Sequence, residues 1–494
     1  MILENEYIRL IFGLKLKQIR TERNLSLYGL SKITGLSKSY LNEIEKGKKY
    51  PKTDKIILLA KALEISYDQL VSLKLDKNLA PVGRIFQSKI LKEIPLEHFG
   101  IKENTLIDII ANAPAKVNAF ITTLIEIAQH YNFTRESFYL ASLRSHQEAN
   151  NNYFHELENQ IESFSKAFHI DLLHRVETSE LKKILKEEYG YKIKKIEFEK
   201  HSNEKGLRSI YIKKTKTLLL SKKLVEQQIA FIYAKELAYN FLEYKERLYT
   251  FSWIKFDNFD QVINNFYASY FAGSLLISKQ TVTEKLKNIF KQTEVDYDEL
   301  KNLIQFFNAS PQTFYHRLTN ILPKEFNLQN LFFLRVSHKV NSKNYHIEKE
   351  LNLISNPSLT HNDSDEYYNR RCVCVNVLKM YVDQKKSNLI DVQILKSPQN
   401  NNNYLIFSTI TKSKSIENVY RIISLGILIN KNTSKKIKFL NNPSLAKQQT
   451  KDLSEDYQIF DSQNRIAKPV ALEQKEQNKA TQSAVEMIID KYSN

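Results

Sequence analysis

Residues 26–51 read SLYGLSKITGLSKSYLNEIEKGKKYP. Leu30, Ile33, Leu36, Leu41 and Ile44 recur at helical spacing around Gly35, which predicts two short helices closing on one small core. Gly35 suits a left-handed turn position, because glycine carries no Cβ to clash there. Ser37 suits the N-cap of the second helix, where a short hydroxyl accepts from an otherwise orphaned N–H. Lys38, Ser39, Asn42 and Glu43 then lie on the outer face with Ser37. A first helix over 8–23, turning Leu10, Leu14 and Ile19 inward, and later helices over 53–63 and 67–73 would complete a five-helix domain spanning 8–74.

The run Glu43-Ile44-Glu45-Lys46-Gly47, followed by Pro51, is the most specific part of this pattern. With the helix spacing around it, the segment resembles the helix-turn-helix of the Cro and lambda-repressor superfamily, whose second motif helix enters the major groove. The resemblance implies sequence-specific binding to double-stranded DNA, by a homodimer. It pairs Arg20 with Glu45 to fix the angle of the reading helix, and it places Lys38, Ser39 and Glu43 at base edges, with Tyr40 and Asn42 in the second rank. A lysine can donate to guanine and a glutamate can accept from cytosine. Ser37, Lys46, Lys48 and Lys49 sit where phosphate contacts would position the module. Leu27 departs from the family, which often has a phosphate-touching glutamine there.

The chain of 494 residues is too long for a reader alone, and its length predicts about three domains. A net charge of +18 agrees with a polyanionic partner. Cys372 and Cys374 are the only cysteines, one residue apart on an expected strand; they read as buried strand residues before a redox or metal sensor, and two thiols in so long a chain fit a reducing cytoplasm. The opening MILENEYIRL is acidic where a signal peptide would be basic, and no apolar run approaches a bilayer span. A cytoplasmic protein without membrane partners is therefore expected. Ten glycines form no phosphate-cradling loop, and eleven histidines form no metal-binding pair, so neither an enzyme nor a cofactor is expected.

A linker and helical stalk are expected over 75–170, with an apolar stripe from Val117 to Ala128 and one long helix over 135–168; the alternative for that helix is the core of a larger domain. Strands at 209–213 and 217–220 then lead into a helix over 223–244. That helix contains Ala234-Lys235-Glu236-Leu237-Ala238-Tyr239-Asn240-Phe241-Leu242. A strand pair feeding this sequence resembles the core of the ImmA/IrrE metallopeptidases, in which two histidines four apart bind zinc and the intervening glutamate serves as base. Here Lys235 and Tyr239 occupy the histidine positions. The family's third, acidic ligand precedes a segment matched by Ala268-Ser269-Tyr270-Phe271-Ala272-Gly273-Ser274-Leu275-Leu276, and Asn265 stands in its place. The resemblance thus implies a degenerate zincin-like region over 171–325 with no metal, in which Glu236 is expected to be a helix-surface or packing residue.

Leu143-Arg144-Ser145, Gln147-Glu148 and Asn152-Tyr153-Phe154 resemble a stretch of the short-chain fatty acyl transcriptional regulators. That resemblance implies transcriptional control tuned by an acyl-CoA or related metabolite. Expected strands at 331–336, 372–377, 389–395 and 404–408, closed by 419–429 as a strand or a short helix leading into one, form an α+β sensor-like domain over 326–446, and 447–494 is expected to be a polar tail, partly disordered, with one terminal helix. The fold class is multi-domain and mainly α with α+β: a lambda-repressor-like reader, a central helical and degenerate zincin-like region, and a C-terminal α+β domain. Two other functions stay open on sequence: a regulatory protease acting on a repressor or antitoxin-like partner, and an interaction scaffold without an effector.

Overall fold

The computed structural model describes residues 2–72, 135–198, 207–249, 256, 258–340, 344–353, 381, 390–396, 402–412, 418–443, 445, 447–449, 458–461 and 485–493. The chain divides into two compact units, Met1–Ser142 and Leu143–Asn494. The expected stripe from Val117 to Ala128 and the strand carrying Cys372 and Cys374 lie outside the described residues.

The first unit contains α1 (Ile2–Glu22), α2 (Leu27–Thr34), α3 (Lys38–Glu45), α4 (Thr53–Ala62) and α5 (Tyr67–Val71). Phe12, Leu16, Leu30, Leu41, Ile44, Ile56, Leu59, Leu63 and Leu70 share one apolar core. Helix α1 starts six residues before its expected position. Leu14 is buried as expected and Ile19 is half-buried. Ile33 is a correction, being 56% exposed. Thr34 shares the inner face with Leu30 instead, its hydroxyl donating to the Leu30 carbonyl at 2.7 Å.

The expected long helix over 135–168 is two helices, α6 (Arg135–Ala149) and α7 (His155–Phe168). Asn151 and Asn152 between them adopt left-handed φ values of 49° and 51°, which a continuous right-handed helix cannot accommodate. Asn152 is fully buried, and its amide donates to Thr319 Oγ1 at 2.8 Å while its side-chain oxygen accepts from Gln147 at 3.1 Å. Leu157, Ile161 and Phe164 turn α7 into the body's core, so this helix is no stalk. Glu158 on the same helix forms a bidentate pair with Arg317, at 2.6 and 3.0 Å, and also accepts from Tyr270 at 2.7 Å.

After α8 (Thr178–Glu187), strands β1 (Lys192–Ile196), β2 (Ser209–Ile212) and β3 (Thr217–Ser221) form a sheet in the order β1-β3-β2. β1 lies parallel to β3, and β2 lies antiparallel to it. Helices α9 (Glu226–Phe241), α10 (Phe259–Leu276), α11 (Lys279–Lys291), α12 (Tyr297–Phe306) and α13 (Pro311–Phe326) follow. The second sheet contains β4 (Leu331–Lys339), β5 (Asn344–Asn352), β6 (Ile390–Lys396), β7 (Asn403–Lys412) and β8 (Val419–Leu428). A short helix, α14 (Lys431–Lys436), leads to β9 (Lys447–Gln449) and β10 (Gln458–Asp461), and the sheet order is β10-β5-β4-β8-β7-β6-β9.

One apolar cluster runs from Ile161 through α9, α10 and α13 to Phe407, Leu425 and Leu445, so the boundary expected at 325/326 falls inside a shared core. Beyond residue 446, β9 and β10, which the sequence did not signal, extend the sheet at its two edges. Residues 485–493 are helical, and Val485 and Ile488 pack with Ile210, Ile212 and Leu219 of the smaller sheet.

Arg317→Met would leave the Glu158 carboxylate buried without its cation, a change that typically costs about 3–5 kcal/mol. The urea midpoint of the body's unfolding transition should fall accordingly. A shift equivalent to less than about 1 kcal/mol would show that the pair is dispensable.

Candidate nucleic-acid interface and the altered metal position

Capping sets the ends of the two motif helices. Ser26 accepts from Gly29 N at 2.9 Å, Gly35 ends α2 with a φ of 68°, and Ser37 accepts from Tyr40 N at 3.1 Å to begin α3. Gly13 then permits a close crossing: a Cβ built there would stand 2.3 Å from the Ile44 carbonyl oxygen and 2.9 Å from that of Glu45. One turn or two further along α1, Arg20 reaches Glu45 through two bonds, Nε to Oε1 at 2.6 Å and a terminal nitrogen to Oε2 at 2.9 Å. Its remaining terminal nitrogen donates to the Leu25 carbonyl at 2.6 Å. The Glu45 hydrogen bonds raise Arg20 above its ordinary pKa. Backbone contact at one point and a two-pronged ion pair at another leave α3 little freedom to rotate against α1.

The outer face of α3 carries the expected reading residues. Lys38 and Ser39 are exposed, whereas Asn42 and Glu43 are half-buried. Tyr40 packs partly against the small core, and Glu43 pairs with Lys49 at 2.9 Å. Ser37 is exposed but its hydroxyl is engaged as the cap; Lys46, Lys48 and Lys49 are exposed just beyond the helix. Leu27 is half-buried against the core, consistent with an apolar residue replacing glutamine there.

In the body, the three altered ligand positions converge. Lys235 and Tyr239 share the inner face of α9, and Asn265 comes from α10. Lys235 Nζ donates to Asn265 Oδ1 at 2.5 Å, and the Tyr239 hydroxyl donates to the same oxygen at 3.3 Å. All three side chains are buried. A lysine, a phenol and a neutral amide are not the His, Cys or carboxylate ligands that zinc takes, so this donor set does not fit zinc. Among the described residues, no group of three His, Cys, Asp or Glu is placed to hold a metal.

Glu236 corrects the sequence expectation of a surface or simple packing residue. It is buried, it bonds Arg247, and it accepts from the Tyr191 hydroxyl at 2.9 Å. Arg247 in turn lies 4.2 Å from the Tyr239 ring centroid and 4.5 Å from that of Tyr211. Burial opposes the charge on Arg247, but Glu236 outweighs it and raises the pKa. Burial also lowers Lys235, to about 7, with Arg247 and Lys349 adding repulsion and Glu236 opposing. Sequence reasoning missed Gly13, although an isolated glycine inside a helical pattern signals close packing. It also missed Arg247 and Tyr191, which reach Glu236 from outside the motif and leave no spacing signal.

Residues 16–70 match the helix-turn-helix family, and residues 187–319 match the family described as an IrrE N-terminal-like domain. Residues 16–70 therefore carry an XRE-type helix-turn-helix, a DNA-binding module. More particularly, the reader is joined in one chain to an IrrE-like domain. No curated protein matches. Among solved structures the chain is similar to a Mycobacterium tuberculosis transcriptional regulator, with 16% identity over 62% of this chain and 87% of that one and a TM-score of 0.40, a likeness too loose to carry an argument. No helix among the described residues is long and apolar enough to cross a membrane.

A lysine in the unfolded chain titrates near about 10.4, well above the folded value of Lys235. Between the two, the unfolded chain holds a proton that the folded chain has released, so this group makes stability rise with pH. The melting temperature should increase from about pH 7 to about pH 9, and increase less in Lys235→Met. Equal slopes in the two proteins would exclude Lys235 as the titrating group.

Proposed function

We propose that the protein is a sequence-specific transcription regulator that binds paired DNA half-sites as a homodimer. Lys38, Ser39, Tyr40, Asn42 and Glu43 read base edges, and Ser37, Lys46, Lys48 and Lys49 face phosphate. The observation that carries the reading is the Arg20–Glu45 fork, which holds α3 with Lys38 and Ser39 exposed. The body is non-catalytic and senses an acyl-CoA or related metabolite, as its resemblance to the short-chain fatty acyl regulators implies. Gln147, Asn152 and Phe154, three residues of that resemblance, anchor the α6–α7 junction to α10 and α13, so they support the scaffold of the body and do not identify the effector.

Selection of random duplexes by the full chain tests the reading, and half-sites centred about 34 Å apart are expected. Lys38→Ala and Glu43→Ala should each shift base preference, whereas Lys48→Ala should weaken every site and reduce the salt slope by about 1. Enrichment of single, unpaired sites would remove the dimer. Uniform effects of all three substitutions would remove the base assignments.

The IrrE-like match over 187–319 favours a second reading, a regulatory metallopeptidase. It predicts stoichiometric zinc retention by the purified chain, lost in Lys235 and Asn265 variants. Absence of retained zinc supports the non-catalytic body.

A further inference from the structure

The larger sheet changes character along the face it turns toward α13. Phe333, Leu351 and Leu425 of this face enter the main apolar core. Further along the same three strands, the register sets Arg335 opposite Lys349, and Arg421 opposite Ser337, on the same side of the sheet. The Lys349 ammonium lies 5.9 Å from the Phe333 ring centroid, confirming that it points with the core-facing row. An irregularity in the pairing between Arg335 and Val336 brings Glu348 in beside them.

Glu348 forms an ion pair with Arg335, Nε to carboxylate oxygen at 2.6 Å, and accepts from Arg421 Nε at 3.2 Å. From the helical layer, the Gln312 amide oxygen accepts from a terminal nitrogen of Arg335, and the His316 ring meets Phe333 edge-on at 5.6 Å. Arg208 approaches as well: burial lowers its basicity first, and then the charges of Arg335 and Arg421 lower it further. Burial and Arg335 likewise lower Lys349, to about 8. The described residues thus hold Arg335 and Arg421 on the carboxylate of Glu348, with Lys349 opposite Arg335 in the register and Arg208 within reach of their charges.

These groups are not sealed inside the protein. The side chains of Arg335, Glu348 and Arg421 remain 20%, 21% and 26% exposed, so solvent reaches them. Like charges held together in this way repel strongly and concentrate a counter-anion. Guanidinium groups match the oxygens of a phosphate through paired bonds, and an ammonium adds a point charge.

We propose that Arg335, Lys349 and Arg421, with Arg208 beside them, form a binding site for the phosphate or pyrophosphate group of a small molecule. The proposal deepens the effector reading by naming the chemistry that the body recognises. Its primary readout is anion binding in the absence of DNA, so its failure and that of the DNA reading are distinguishable.

Calorimetry on the full chain with inorganic pyrophosphate, and separately with adenosine diphosphate, tests the site at ionic strength held constant with sodium chloride. Saturable binding of pyrophosphate is expected. Tighter binding of the nucleotide would identify the source as a nucleotide-like ligand, and tighter binding of free pyrophosphate would identify the inorganic anion. Lys349→Met and Arg421→Gln should each weaken binding by about tenfold or more, the loss of one charge-assisted contact. Arg421→Lys, which keeps the charge and removes the fork, should weaken binding measurably even if a neutral variant fails to fold. Lys431→Ala, on α14, should bind as the unaltered chain does. The proposal is overturned by no saturable binding, by unchanged affinity in foldable site variants, or by displacement of pyrophosphate with duplex DNA, which would assign the cations to nucleic acid.

Discussion

The crossing of α1 over α3 is the constraint on which the reader depends. Its components are unequal in kind. Gly13 removes a side chain so that two backbones can approach, while Arg20 and Glu45 supply a directional clamp seven residues further along α1. The clamp desolvates two charges, so its net stabilisation is limited; its stronger effect is on geometry, because two parallel bonds define an angle. The reading helix has only eight residues, too few to hold a helical conformation alone, and its orientation comes entirely from this packing.

The body solves a different electrostatic problem. An IrrE-like frame brings two positions of α9 and one of α10 together, a convergence that suits a doubly charged metal. Here a lysine ammonium, an amide and a phenol satisfy one another, and Glu236 is neutralised by Arg247. The replacement puts mutually hydrogen-bonded side chains where the metal ligands of the resembled family would stand. Tyr191, Tyr211 and Tyr239 surround the Arg247–Glu236 pair with hydroxyls and ring faces, so the buried charges retain partners. This arrangement belongs to the same apolar cluster that includes the larger sheet, which links the IrrE-like frame and the C-terminal strands in one core.

Local signals made the reader legible in the sequence. Gly35, Ser37 and the spacing of Leu30, Leu41 and Ile44 each act within a few residues, and the pairing of Arg20 with Glu45 followed from the resemblance. The convergence of Lys235, Tyr239 and Asn265 was legible for a similar reason, since helical spacing and a recognisable packing segment carried it. Long-range features were not. Asn151 and Asn152 break a helix, and the Asn152 side-chain amide and backbone carbonyl find partners on α13, more than 160 residues away. Strand β1, with the sequence KIKKI, is an exposed edge whose charges hide its alternation, and β5 carries charged residues on the face toward the helices. Strands β9 and β10 are short and polar, and only pairing with neighbours already in place defines them. Ile33 shows the opposite error: periodicity marked it as core, but the turn at Gly35 follows too closely for its face to be covered.

A reader fixed by a fork and a body that holds its own internal cation together describe a protein that acts through DNA recognition. The specificity ratio of the full chain is the most direct test: its affinity for a selected DNA site divided by its affinity for scrambled duplex, measured at one salt concentration near physiological. The account predicts a ratio of about 10³ or greater, the range of proteins that read base edges. A ratio near one, with both affinities falling equally as salt rises, would mean that charge alone holds the DNA and would contradict the account.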